Sequence, residues 1–227
     1  MPKIHEYATF LREFRRTFRT TGAVAPSGRL LARALAQPLA QQREPSRILE
    51  VGPGTGAITR ELVRHIGAED VFHLVELNDR FVEVLRKRFD REPAFQRVSE
   101  QATIYHLPVQ ELRVVEPYDF IVCGLPFNNF STEQVKSIFR HMLRLLQPGG
   151  TLSFYEYLWI RGMTMLVANG LERRRVARVG RILKRYLSRY EYRCDKVLIN
   201  MPPALAHHLR QEISVEAPVR HDAVVGR

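Results

Sequence analysis

Residues Gly52-Pro-Gly-Thr-Gly56 place three glycines in five positions, between an aliphatic run (Ile48, Leu49, Val51) and an amphipathic stretch (Ile58, Leu62, Val63, Ile66). The first predicts the end of a buried strand, and the second, with three- and four-residue spacing, predicts a helix from Ala57. Glycines there let the chain turn sharply and bring backbone close to a ligand, and the helix N-terminus favours an anion. The combination constrains the chain to a parallel sheet with a nucleotide site at a strand end. The spacing is G-x-G-x-G, with Glu50 two residues ahead, and differs from the G-x-G-x-x-G of dinucleotide sites.

The rest of the chain fits that frame. Val71–Val75 predicts a second strand, followed by a helix with Phe81, Val82, Leu85 and Phe89 on one face. Ala102–His106 predicts a third strand, and the apolar run Tyr118–Cys123 a central one buried on both faces. Ser131 and Gln134 open a helix as a capping box, Pro148-Gly149-Gly150 ends it, and Thr151–Tyr157 is strand five. A helical region over roughly 160–190 and a pair of strands within 191–209, around Pro202-Pro203, close the domain. Alternation on this scale predicts a doubly wound α/β sheet, and 227 residues suit one such domain. No apolar run approaches the ~20 residues of a spanning helix, and the N-terminus has no signal-peptide core. Two cysteines, Cys123 and Cys194, make no disulfide framework and predict a reducing compartment.

Glu76 stands 20 residues after Gly56, at the end of strand two, where an acid accepts hydrogen bonds from ribose hydroxyls. The glycine loop led by Glu50 resembles motif I of the class I S-adenosylmethionine (SAM) methyltransferases. The resemblance implies a Rossmann-like fold with a central, mostly parallel seven-stranded sheet and helices on both faces. It implies SAM as cofactor, S-adenosylhomocysteine as product and no metal. Glu50, ionised, would hold the cationic amino-acid end of SAM, with Gly52, Gly54, Thr55 and Gly56 forming the loop. Glu76 and Leu77 would flank the ribose. An acid after strand three often binds adenine in these enzymes; here the position is Pro108, and Val109 with Gln110 or a backbone carbonyl takes its place. Cys123, Gly124 and Leu125 would close the site from strand four.

That strand ends in Cys123-Gly-Leu-Pro-Phe-Asn-Asn-Phe130, which resembles the N-L-P-[YF] motif of amino-methylating enzymes, including ribosomal RNA adenine dimethyltransferases. The family asparagine is Gly124, which argues against a base as acceptor. Phe127 and Phe130 are candidates to face a cation through their rings. Tyr155, Tyr157 and His106 are candidate proton acceptors, beside solvent.

The net charge is +11, and segments 3–19 and 172–193 carry almost all of it. A segmental excess of this kind predicts a polyanionic partner, anionic lipid or nucleic acid. In the first segment Ile4, Tyr7, Leu11, Phe14 and Phe18 form a stripe, with Arg12, Arg15, Arg16 and Arg19 mostly off it, as suits a helix lying in a membrane interface. The second repeats the design with Val176, Val179, Leu183 and Tyr186. Thr21–Ala32, Gly124-Leu-Pro126 and Asn200-Met-Pro-Pro-Ala204 are similar to segments of the bacterial phospholipid N-methyltransferases, which convert phosphatidylethanolamine to phosphatidylcholine. That resemblance implies Pro26 and Ser27 over the cofactor, Arg29 with the first helix at substrate and membrane, and peripheral attachment to the cytoplasmic face, with no obligate protein partner. It divides the chain into a helix at 1–22, a methyltransferase domain at 23–211 and a tail at 212–227. An RNA or DNA adenine methyltransferase, and a SAM-binding relative without catalysis, stay open as alternatives.

Overall fold

The computed structural model describes residues 26–158, 170–200 and 202–211. The expected helix over 1–22, with Arg12, Phe14, Arg15, Arg16, Phe18 and Arg19, and the tail at 212–227 lie outside these residues.

Seven strands form one sheet in the order β3-β2-β1-β4-β5-β7-β6. They are β1 Arg47–Val51, β2 Val71–Glu76, β3 Ala102–His106, β4 Tyr118–Cys123, β5 Leu146–Tyr157, β6 Glu191–Val197 and β7 Ala204–Arg210. The first five run parallel, β7 is antiparallel to β5, and β6 is antiparallel to β7. The mostly parallel seven-stranded sheet expected from the sequence is therefore present. Its strands alternate their side chains between two cores: Ile48, Phe72, Leu74 and Val122 on one face, Leu49, Val51, Ile121 and Phe154 on the other.

Helices α1 Pro26–Ala40, α2 Thr59–Leu62, α3 Asp79–Arg91 and α4 Pro93–Gln96 supply the first core through Leu35, Leu62, Leu85 and Phe95. Helices α5 Thr132–Leu145 and α6 Gly170–Tyr190 supply the second through Ile138, Phe139, Val179 and Leu183. The capping box is made as expected: Ser131 Oγ accepts from the Gln134 amide, and the Ser131 amide donates to Gln134 Oε1.

Two local expectations are corrected, and one helix is added to those expected. Regular α-helix after the glycine loop covers only Thr59–Leu62, although helical and tighter hydrogen bonds run on from Gly56 to His65. Arg97 caps the far end by donating to the carbonyls of Ile66 and Val63. Helix α5 stops at Leu145, three residues before Pro148. Gln147–Gly150 instead interrupts β5, whose pairing with β4 jumps from Tyr118–Leu146 to Phe120–Thr151, and Gly149 takes φ 79° there. Helix α1, not anticipated, is signalled in hindsight by the buried stripe Leu31, Leu35 and Leu39.

Candidate active site

The carboxyl ends of β1, β2 and β4 meet at the glycine loop. The Gly52 amide donates to the Val75 carbonyl at 2.9 Å, and the Gly124 amide donates to the Val51 carbonyl at 2.8 Å. Gly52 has φ 70°, a backbone region that side-chain-bearing residues rarely adopt. A Cβ at Gly124 would lie 2.6 Å from the Gly52 carbonyl oxygen, inside any tolerable contact. The loop and the strand-four segment thus touch backbone to backbone.

Two acids converge on this junction. Glu76 is buried; one carboxylate oxygen accepts from the Gly54 amide at 2.9 Å, the other from the Asn78 amide at 2.8 Å. Burial pushes its pKa up, against the pull of the amides of Asn78, Gly54 and Leu77. Each oxygen keeps a further lone pair, so ribose hydroxyls fit a carboxylate already fixed in place. Glu50 is fully buried, and neither of its oxygens has a hydrogen-bond partner among the described residues. Burial raises its pKa to about 8, with the neighbouring Thr59 pulling it down and the Glu76 charge pushing it further up. In the protein alone burial favours the protonated carboxyl, whereas the ionised form expected from the sequence is the one that would meet a bound cation. An orphaned buried carboxyl at a glycine loop fits a cationic ligand group that supplies the missing partner.

A cleft beside this junction is lined by Gly52, Glu76, Leu77, Val109, Gln110 and Leu125, six of the residues expected around the cofactor. Pro108 lines it too, as the residue capping a turn of 3₁₀ helix, Val109–Glu111. A larger groove of about 310 Å³ opens at the opposite edge of the sheet, among Asp119, Gln147, Gly150, Arg193 and Arg210. It holds none of the motif residues, so the cleft at the glycine loop is the candidate cofactor site. Thr55 is exposed on the loop, Pro26 and Ser27 open α1, and Arg29 is exposed in its first turn. Thr59, next to Glu50, was missed; it sits at a helical position with no motif signature of its own.

On the acceptor side the expected residues separate. Cys123 is buried, and burial raises its thiol pKa to about 12, so it can contribute only backbone and bulk. Phe127 is corrected. It is buried against Phe139, Phe154 and Phe130, with centroids 4.7, 5.8 and 6.2 Å away, and its ring belongs to the core. His106 hydrogen-bonds the Leu77 carbonyl at 3.0 Å and ties β3 to β2. Tyr155 does reach the junction: its hydroxyl lies 3.5 Å from the Gly124 carbonyl, and Tyr157 packs on its ring edge-on at 5.1 Å. Burial holds both phenols protonated, with pKa values pushed above the usual one. Neither is therefore a phenolate base.

Residues 48–150 match a family model described as a methyltransferase domain. The chain carries a SAM-dependent methyltransferase domain. It is similar to an ornithine lipid N-methyltransferase of Singulisphaera acidiphila, 27% identical over 156 residues, covering 68% of this chain and 80% of that relative. Among solved structures it resembles an O-methyltransferase from Bacillus cereus in complex with S-adenosylhomocysteine, at TM-score 0.62 and 18% identity, covering 93% of each chain. It also resembles the N-methyltransferase NodS of Bradyrhizobium japonicum, at TM-score 0.60 and 18% identity, covering 83% of this chain and 98% of that one. At such identities the structural likeness speaks for the methyltransferase fold alone.

One further polar cluster lies between β5, β6 and β7. His207 is buried between Glu191, 2.6 Å from its Nδ1, and Glu156, 3.5 Å from its Nε2, with Cys194 close enough to complete a candidate cation site. Burial favours the neutral imidazole, but the two glutamates prevail and raise its pKa. The Nδ1 contact to Glu191 is the close one; Nε2 has no hydrogen-bond partner among the described residues.

Proposed function

We propose that this methyltransferase transfers methyl groups to the amino head group of a membrane phospholipid, phosphatidylethanolamine and its partly methylated forms, towards phosphatidylcholine at the membrane surface. The observation that carries this reading is Gly124. No Cβ fits between this residue and the Gly52 carbonyl, so the asparagine that holds a base amino group in the adenine enzymes has no place here. The similarity to a lipid-amine methyltransferase and the exposed basic face of α6 (Arg174, Arg178, Arg181, Lys184, Arg185) support a lipid acceptor.

SAM, when bound, supplies an electrophilic methyl on a sulfonium. Glu50 would balance its cationic end, Glu76 would hold the ribose, and the glycine loop would accept the chain closely. In-line transfer then needs the amine placed and water kept out, which is a matter of positioning. Tyr155 would orient the head-group ammonium through its hydroxyl oxygen, and the Tyr155 and Tyr157 rings would offer π faces to a cation whose charge persists as methyls accumulate. The ammonium must lose a proton before each transfer, and with both phenols held neutral, the proton passes to solvent.

The deciding experiment incubates the protein with labelled SAM and, in parallel, phosphatidylethanolamine vesicles, ornithine lipid vesicles and ribosomal RNA. Label in phosphatidylethanolamine is the expected result. Label in ornithine lipid alone would move the acceptor to another amino lipid, and label in RNA alone would overturn the reading.

A further inference from the structure

The sheet has two edges, and they differ in what they expose. The cofactor loop, the Gly124–Phe130 segment and Leu158 after β5 all lie at the carboxyl edge of the parallel strands. Tyr157 pairs with Ala204 and Val197 with Ala204, so the turn joining β6 to β7 lies at this same edge. Helix α6 ends at Tyr190, where β6 begins at the far edge, and Arg175 near its start donates to the Phe130 carbonyl at 2.7 Å. Its N-terminus therefore also reaches the catalytic edge.

Four of the six large hydrophobic side chains exposed among the described residues gather here: Leu158 at 40%, Leu171 at 80%, Leu198 at 62% and Ile199 at 82%. Ile199 and Leu198 sit on the β6–β7 turn. The next residue, Asn200, is buried and fastens that turn: its side-chain amide donates to the Pro202 carbonyl at 2.6 Å and its backbone amide to the Val197 carbonyl at 3.4 Å. A water-facing turn gains nothing from two consecutive aliphatic residues held out by a buried clamp. Arg173 and Arg174 follow Leu171 on α6 and are exposed on the same end of the helix. Aliphatic residues beside guanidinium groups complement an anionic bilayer, where the former enter the acyl boundary and the latter meet the lipid phosphates.

We infer that the β6–β7 turn, through Leu198 and Ile199, inserts into the surface of an anionic membrane and, with Leu158, Leu171 and the start of α6, presses the catalytic edge against it. The inference rests on the lipid reading above and names the surface by which the site meets its substrate. It also accounts for the build of the Asn200-to-Ala204 segment, in which Asn200 and Pro202 set the shape of an insertion device. A head group at the bilayer surface then faces Tyr155 and the glycine loop without the lipid leaving the membrane.

The test uses the full chain and vesicles of phosphatidylcholine with phosphatidylglycerol, read by co-sedimentation. Leu198→Asp with Ile199→Asp is expected to weaken vesicle binding by at least about tenfold, given the apolar area two such side chains bury. SAM affinity and Tm are expected to stay as in the parent. Val115→Asp, at a fully exposed aliphatic residue on the opposite edge, is expected to bind vesicles like the parent. Unchanged sedimentation of the double variant overturns the inference, as does an equal loss in Val115→Asp. A lowered Tm in the double variant also overturns it, since that result shows another part of the chain covering the turn. These readouts need no turnover, so a protein that binds vesicles through this turn but labels no lipid refutes the proposed function alone.

Discussion

Glu50 should make cofactor binding depend on pH in a window several units above that of an ordinary carboxylate. In the protein alone its pKa is about 8, because burial and the nearby Glu76 penalise the charge by more than the neighbouring Thr59 offsets. The cationic end of SAM is matched by the carboxylate form, so binding must expel the proton. At pH 7 about nine-tenths of the molecules hold that proton, and ionising it costs about 1.4 kcal/mol for the one-unit difference. The Glu50 contribution to affinity, read against Glu50→Gln, should therefore rise about tenfold between pH 7 and pH 9, levelling off above the pKa. The ligand's own α-amino group titrates near 8 and works the other way, since losing its charge weakens the contact. Glu50→Gln supplies the reference, because it keeps the ligand's titration and removes the protein's. Calorimetric titrations in buffers of different ionisation enthalpy count the protons directly. The parent should release about 0.9 proton per SAM bound at pH 7, over and above Glu50→Gln. The same logic gives a stability sign. A carboxyl whose folded pKa is raised stabilises the fold relative to its ionised form only at low pH, and the protein loses stability as pH climbs from the unfolded value of 4.5 towards 8. Glu50→Gln should thus raise the Tm of the cofactor-free protein at pH 8, by an amount equivalent to at most a few kcal/mol. Equal proton release and equal Tm in the two proteins would refute the reasoning for Glu50.

Other consequences follow from the same junction. Gly124→Ala puts a Cβ 2.6 Å from the Gly52 carbonyl and should cost roughly 1–3 kcal/mol of stability, as overpacked sites do, together with a clear loss of SAM affinity measured by direct titration. Tyr155→Phe keeps the ring and removes only the hydroxyl near Gly124. Because that phenol is held protonated, the alkaline limb of the pH–rate profile should stay where it is while kcat falls; a displaced limb would make Tyr155 a base after all.

How far the sequence carried depended on whether a feature was periodic, punctuated or merely packed. The glycine loop, Glu76 and the capping box at Ser131 rest on local chemistry with fixed spacing, and the structure shows each of them built. The strands were legible because runs such as Tyr118–Cys123 have no other use in a chain of this kind. The end of α5 was misplaced because Pro148 and Gly149 serve equally well to stop a helix or to kink a strand, and pairing with β4 decides between them. Phe127 was misread for a related reason. Its place after Leu-Pro suggests a ligand contact, whereas Phe139 and Phe154, distant in sequence, close over its ring. The raised pKa of Glu50 was not legible, since burial on both sides of β1 is a property of the assembled sheet.

The backbone contact between Gly52 and Gly124 has a consequence for how the two substrates communicate. The segment proposed to cradle the methyl donor and the segment proposed to face the amine are interlocked, with the Gly124 amide on the Val51 carbonyl and no gap for side chains to absorb a shift. Neither can move alone. A donor that settles the glycine loop would also fix the acceptor's doorway, so the enzyme is expected to favour an ordered sequence of arrivals, with SAM first and the amine second.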